Sequence, residues 1–208
     1  MDLSALPLAT VAGFALTSFL IELTPGPNMA WLAIATLTTG RANGFAAVAG
    51  IGLGLLAVGI AAALDLAALI TAVPSLYQTL RWAGVAYLLW LAYDGWKSAG
   101  EPPEKALAST KRAQYFRRGL ITNLLNPKAA VFYLAVLPPF LPENAGLAET
   151  LTLSMVYVAV ATAVHAGIVA LASLAAPLLT SDRKRTITAR VLSALLALVA
   201  LWFAWKTR

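Results

Sequence analysis

Two short motifs in this chain set backbone-breaking residues beside groups that can hold charge. The first runs Glu22-Leu23-Thr24-Pro25-Gly26-Pro27-Asn28 and the second Asn123-Leu124-Leu125-Asn126-Pro127-Lys128. Proline has no N–H, so within a helix Pro25 and Pro27 free the carbonyls of Ile21 and Leu23, and Pro127 frees that of Asn123. Gly26 precedes a proline and is pushed away from helical geometry. Each interruption also starts a new helix, whose first N–H groups are unpaired and carry the positive end of the half-helix dipole. Such a start suits an anion, a carboxylate in particular. Lys128 sharpens the expectation, because a cation is unfavourable at a helix N-terminus unless an anion shares the site. We therefore expect a cargo carboxylate near Asn28 and Lys128. Glu22, one turn before Pro25, is the candidate to carry a proton or to meet an ammonium group. The competing reading is a pair of structural kinks, with Lys128 reaching towards an interface.

The remaining polar groups support less. Asp94 lies three residues from Lys97, which predicts an interfacial ion pair. Asp65 falls towards the end of an apolar run and can reach lipid headgroups. His165 is the sole histidine, which argues for a helix contact rather than a metal site. Glu22, Asp65, Asp94 and His165 sit on separate segments, and a divalent cation needs several convergent ligands. Ser18, Ser154 and Ser173 have no evident base, so no catalytic residue is assigned and a membrane-embedded hydrolase is the weakest alternative. Gly50-Ile51-Gly52-Leu53-Gly54 has the wrong spacing for a dinucleotide loop. With no cysteine, disulfides, thiolate catalysis and Cys-ligated metals are excluded. No cofactor is expected. Tyr77, Trp82, Trp96, Trp202 and Trp205 fit interfacial belts; Trp31, Tyr87 and Trp90 are read as packing, with stacking near a cargo as the alternative.

The elements that position these groups are hydrophobic. Sixty per cent of the 208 residues are apolar and 12% charged, against roughly half and a quarter in a soluble domain. The apolar residues form runs at about 6–38, 44–73, 76–98, 119–141, 148–177 and 188–206. About 20 apolar residues span a bilayer core, so we expect an all-α membrane protein with six transmembrane helices in one domain over 1–208. The first run is too long for one straight span: 33 helical residues would reach roughly 50 Å. The N-terminus lacks the basic region and cleavage site of a signal peptide, so that run is expected to be retained.

The formal charge of +6 does not point to nucleic acid, because the basic residues lie between the runs. One side holds Arg41, Lys97, Lys105, Lys111, Arg112, Arg117, Arg118, Arg183, Lys184, Arg185 and Arg190; the other holds Arg81, Lys206 and Arg208. Eleven against three makes the first side cytoplasmic and both termini periplasmic. The basic clusters otherwise meet lipid headgroups. Three spans on each side of the basic connector 98–118 give repeats of about 1–98 and 119–208, in inverted orientation. Both repeats open on a proline-interrupted segment. Their second segments carry small residues, Gly50/Gly54 and Ala159/Ala163/Gly167, and their third end in Trp96-Lys97 and Trp205-Lys206. Small residues let helices approach within one chain or across a homodimer.

Over essentially its whole length the chain resembles the LysE/RhtB-type amino-acid exporters. The resemblance rests on Thr24-Pro25-Gly26-Pro27-Asn28, Gly40-Arg41-Ala42-Asn43-Gly44, Gly50, Gly52 and Gly54. It continues through Gly84-Val85-Ala86-Tyr87-Leu88, Gly119, Asn123-Leu124-Leu125-Asn126-Pro127-Lys128-Ala129 and Leu137-Pro138. It implies export of amino acids or close derivatives across the bacterial inner membrane, driven by the proton gradient. The family's motif asparagines and prolines carry over as Asn28, Asn126, Pro25, Pro27 and Pro127. With Gly26, Asn123 and Lys128 these form the expected substrate-binding set, and Glu22 the proton-coupling candidate. Export of a metal cation or another small solute is the alternative.

Overall fold

The computed structural model describes residues 6–24, 26–64, 74–99, 112–178 and 181–206. Pro25, Asp65 and residues 100–111 of the basic connector lie outside them. Among the described residues every regular element is helical. Helices α1 (Leu8–Glu22), α2 (Pro27–Thr39), α3 (Arg41–Ala63) and α4 (Pro74–Ser98) precede the connector. Helices α5 (Arg112–Leu124), α6 (Pro127–Val131), α7 (Leu147–Ala175) and α8 (Asp182–Lys206) follow it. A π-helical turn at Phe132–Val136 and a 3-10 turn at Pro138–Phe140 extend α6.

Polarity is distributed inside out. Leu16, Leu20, Leu53, Ile60, Leu171, Leu174, Leu198 and Leu201 are exposed, whereas Glu22, Asn28, Asn43, Asn123, Asn126 and His165 are buried. In water such a continuous apolar exterior would drive aggregation; a hydrocarbon solvent explains it, since the interior is then the place where polar groups find partners. Helices α3, of 23 residues, and α7, of 29, are each long and apolar enough to cross a membrane. The pair Arg112–Leu124 and Lys128–Phe140, bent by 50°, passes the same test jointly as a broken span or a re-entrant loop. Leu8–Glu22 and Thr186–Trp202 are apolar but shorter.

Helix α3 packs on α5 and α7, α1 on α7, and α4 on α8, while α2 touches α3, α7 and α8. The α3–α5 crossing is closest because both sides are glycine. A Cβ on Gly50 would run into the carbonyl oxygen of Phe116, and one on Gly119 into that of Ala47. The small residues of α7 behave otherwise. Ala159, Ala163 and Gly167 are exposed, and nothing lies within 4 Å of a Cβ built on Gly167. The expected match with Gly50/Gly54 fails here, for a geometric reason. The buried stripe of α7 is Leu153, Tyr157, Ala161, His165 and Val169, and residues two positions along face the opposite way. Gly40, between α2 and α3, has φ 90°, a left-handed conformation that glycine adopts without steric cost.

Candidate functional site

The two interruptions are built alike. Thr24 N–H donates to the carbonyl of Ile21 at 3.0 Å, and Asn126 N–H to that of Asn123 at 2.9 Å. Each carbonyl is the one that the proline four residues on cannot serve. A tighter i to i+3 turn therefore satisfies both, and these two carbonyls are not left for a ligand. After each turn the chain extends and restarts on a proline, a residue suited to the first helical position. Gly26 has φ −151° and ψ 173°, and α2 has no side-chain cap. Asn126 caps α6 itself, its Oδ1 accepting from Lys128 N at 3.0 Å. One N–H expected to face an anion at the second interruption is thus already taken.

Glu22, at the last position of α1 and 4% exposed, is where the site gathers. Its Oε1 accepts a hydrogen bond from the Tyr157 hydroxyl at 2.9 Å. Its Oε2 lies 3.6 Å from Lys128 Nζ and 3.6 Å from His165 Nε2. Lys128 Nζ also donates to Thr24 O at 3.2 Å. The anion that shares the site with Lys128 is therefore the protein's own carboxylate. Residues from α1, α6 and α7 converge on one acid group: Glu22 and His165 do sit on separate segments, but they meet rather than lying at different depths. Asn28 and Asn123 join the interruptions a second time, Asn28 Nδ2 donating to Asn123 Oδ1 at 3.1 Å. Asn28 Oδ1, Asn123 Nδ2 and His165 Nδ1 are buried with no hydrogen-bond partner among the described residues. Thr36 Oγ1 and Ser193 Oγ are buried without a partner as well; a buried polar atom left unpaired costs about 1–3 kcal/mol.

Three aromatic residues frame this cluster and escaped the reading from sequence. Tyr157 stacks on Phe132 with centroids 3.6 Å apart and planes 9° from parallel. Tyr133, the next residue, donates to the carbonyl of Leu55 at 3.1 Å. Phe132 and Tyr133 are both buried and both reach the cluster. They lie in the π-helical turn, closed by Leu137 N–H donating to Phe132 O at 3.1 Å, and such turns recur at functional sites. The polar handle of a mid-span tyrosine was the available signal for Tyr157. Ser18 and Ser154 donate to the carbonyls of Phe14 and Thr150, one turn back in their own helices.

Asp94 takes a different partner from the expected Lys97. Arg118 Nη1 lies 2.7 Å from Asp94 Oδ2, and the same guanidinium lies 4.9 Å over the Trp90 ring and 5.7 Å over Tyr115. Tyr115 in turn stacks on Trp31, and Tyr87 on Trp90, so one arginine ties α4 to α5 and α2. We expect Arg118→Gln to lower stability by about 1–2 kcal/mol, read as a fall in melting temperature in detergent. Arg118→Lys should recover little, because a point charge cannot both pair and lie flat on a ring.

The family described as LysE type translocator matches residues 19–207, nearly the whole chain. The chain belongs to this family. A homoserine/homoserine lactone efflux protein of Salmonella typhimurium is 35% identical over 165 residues, 76% of this chain and 78% of that protein. A leucine efflux protein of Klebsiella pneumoniae is 31% identical over 135 residues, 60% of each chain. The Escherichia coli membrane protein YahN, uncharacterized, is 32% identical over 130 residues, 61% of this chain and 56% of its own. No solved structure matches. Both interruptions lie inside the part matched to the LysE family.

Proposed function

We propose that this LysE-family protein exports amino acids or close derivatives from the cytoplasm across the bacterial inner membrane. The observation that carries the reading is the buried Glu22–Lys128 pair, held between the ends of two interrupted helical segments. Every free amino acid brings an ammonium and a carboxylate on one carbon. A protein pair of opposite sign can exchange partners with it: ammonium to Glu22, carboxylate to Lys128 and to the uncapped start of α2. The exchange creates no unpaired buried charge, which is what a bilayer interior penalises. The efflux relatives named above support the cargo class.

Six spans in two inverted repeats is the architecture that best accommodates this site. In that arrangement α1–α2 and α5–α6 are the opening segments of the two halves. Their like-built turns and the Asn28–Asn123 bond support a pseudo-symmetric meeting of the breaks, as in other secondary transporters. The excess of basic residues then sets both termini outside. Glu22 is the proton-carrier candidate in this scheme, because its carboxyl is buried, bonded to Tyr157 and beside both His165 and Lys128. The test is efflux from preloaded cells expressing the wild type, Lys128→Ala or no transporter. Wild-type cells should release at least one amino acid faster than control cells, and Lys128→Ala should not; identical release from all three for every amino acid tried overturns the reading.

A further inference from the structure

A layer of aromatic rings and one arginine lies between the interruptions and the basic end of the molecule. Helix α2 runs from the first interruption towards Arg41, and α5 runs from Arg112 to the second. Both therefore join the site to the end that the charge count places in the cytoplasm. Trp31 stands three residues past Asn28, about 4.5 Å along α2. On α5, Arg118 and Tyr115 stand five and eight residues before Asn123, about 7.5 and 12 Å along its axis. Trp31 stacks on Tyr115 with centroids 6.3 Å apart. Arg118 reaches over Tyr115 and Trp90, and Asp94 holds it at 2.7 Å. Trp31 and Tyr115 are buried, so the layer runs without a break from α2 through α5 to α4.

Helix α4 is the part of this layer that is least tied to the rest. It packs chiefly on α8 and only slightly on α5. Besides Asp94, it meets the second interruption at Gly84, where a Cβ would stand 2.6 Å from the carbonyl oxygen of Leu125. The backbone of α4 thus lies directly on the interrupted stretch, and Asp94 fastens it about 15 Å further along the helix. Moving α4 with α8 would uncover the interruption and dismantle the layer, leaving the α3–α5 and α3–α7 contacts in place. The fastening suits such a movement. The Arg118 and Asp94 side chains are 12% and 35% exposed, so water can replace each partner at far lower cost than in a sealed pair.

We propose that Trp31, Tyr115, Arg118 and Trp90, latched by Asp94, form the cytoplasmic gate of this transporter, closed in this structure and opened by movement of α4 with α8. The gate rests on the export reading, which makes the basic end the one that cargo enters. A transporter that alternates access must shut one side of its site while the other is open. The aromatic rings supply the bulk of the barrier, and the arginine joins three helices through contacts of different kinds: an ion pair to α4, a ring face on α4 and another on α5. Breaking the ion pair alone therefore loosens the gate and leaves the guanidinium on its rings.

The chain has no cysteine, so a single introduced thiol reports on the gate without background. Thr122 is 2% exposed and lies one turn past Arg118, on the side of the interruptions. The rate at which Thr122→Cys reacts with a membrane-impermeant methanethiosulfonate is measured in vesicles of both orientations. Adding Asp94→Asn should raise the rate from the cytoplasmic face about tenfold or more, by shifting the population towards the open gate. The rate from the opposite face should not rise. Arg118→Gln should act in the same direction and more strongly; Asp94→Asn keeps the ring contacts, so the test stands if Arg118→Gln fails to fold. An unchanged cytoplasmic rate with Asp94→Asn overturns the gate. So does a rise from both faces, which general loosening would give, or a rise from the opposite face alone. Labelling needs no cargo, so each of these outcomes leaves amino-acid export to the efflux comparison, and an absence of efflux leaves a side-specific rise intact.

Discussion

Replacing Lys128 by alanine is expected to destabilise the protein by about 3 kcal/mol, and adding Glu22→Gln should restore most of that loss without restoring export. Breaking a buried ion pair by removing one partner leaves the other charge uncompensated, at about 3–5 kcal/mol. The low end applies because the Lys128 side chain is 25% exposed whereas that of Glu22 is 5%. The two single variants should differ for the same reason. Lys128→Ala strands a carboxylate with only the Tyr157 hydroxyl and the His165 imidazole beside it. Glu22→Gln leaves an ammonium group that keeps Thr24 O and some exposure, so its cost is smaller. Neutralising both positions removes the stranded charge, and replacing a buried pair by neutral groups is often close to neutral in stability. Export follows other rules, because the cargo's two charges then meet no opposite charge. Loss of one charged partner at about 3 kcal/mol corresponds to roughly a hundredfold in uptake of cargo by the site. Melting curves of the four proteins in one detergent, set beside their efflux rates, check the prediction. A double variant as unstable as Lys128→Ala would show that the pair is not the interaction at stake.

How far the sequence reveals this site depends on which of its parts are local. The starts of α2 and α6 were legible, because Pro27 and Pro127 bring a fixed φ and a missing donor wherever they stand. The fate of the freed carbonyls was not, since the turns that absorb them at Ile21 and Asn123 cannot be told in advance from an open backbone. Lys128 beside a helix start asks for an anion, which reads from the sequence as a cargo carboxylate. That the anion is Glu22, 106 positions earlier, is decided by how α1, α6 and α7 pack. Tyr157 and His165 share a stripe of α7 with Leu153, Ala161 and Val169, and in a helix apolar on every side no periodicity separates the stripe facing the site from those facing lipid. The same ambiguity misassigned the small residues. Gly50 and Ala159 look equivalent as letters, and only the partner helix distinguishes the one that meets a backbone from the one that is exposed. Phe132 and Tyr133 add a further case, because a π-helical turn shifts the register midway through the element that carries them.

The largest effect on folding is expected at the α3–α5 crossing, where Gly50→Ala and Gly119→Ala should each cost more than the charge variants. A methyl on Gly50 would meet the Phe116 carbonyl oxygen and, at 2.9 Å, the amide nitrogen of Leu120; one on Gly119 would meet the Ala47 carbonyl. Those contacts are with backbone, which cannot swing aside as a side chain can, so the helices must separate along the whole contact. Within a membrane, helix association relies on close van der Waals packing rather than on a hydrophobic drive, so lost contact is not offset by burial elsewhere. Overpacking a well-packed interior costs about 1–3 kcal/mol, occasionally more, and a rigid backbone partner places both variants at or above the top of that range. The separation would also carry function away. Asn123 is on the same helix as Gly119, one turn on, and packs against Gly54, one turn beyond Gly50, so moving α5 off α3 draws Asn123 away from Asn28. Gly167→Ala is the matched control, since a Cβ there meets nothing within 4 Å, and its melting temperature should not fall below that of the wild type. Thermal melts of the three alanine variants in one detergent measure this, and equal stability for Gly50→Ala and Gly167→Ala would refute the close crossing. Because both glycines face backbone from opposite sides of one crossing, Gly50→Ala with Gly119→Ala should cost less than the sum of the single changes: once one methyl has pushed the helices apart, the other finds part of its room already made.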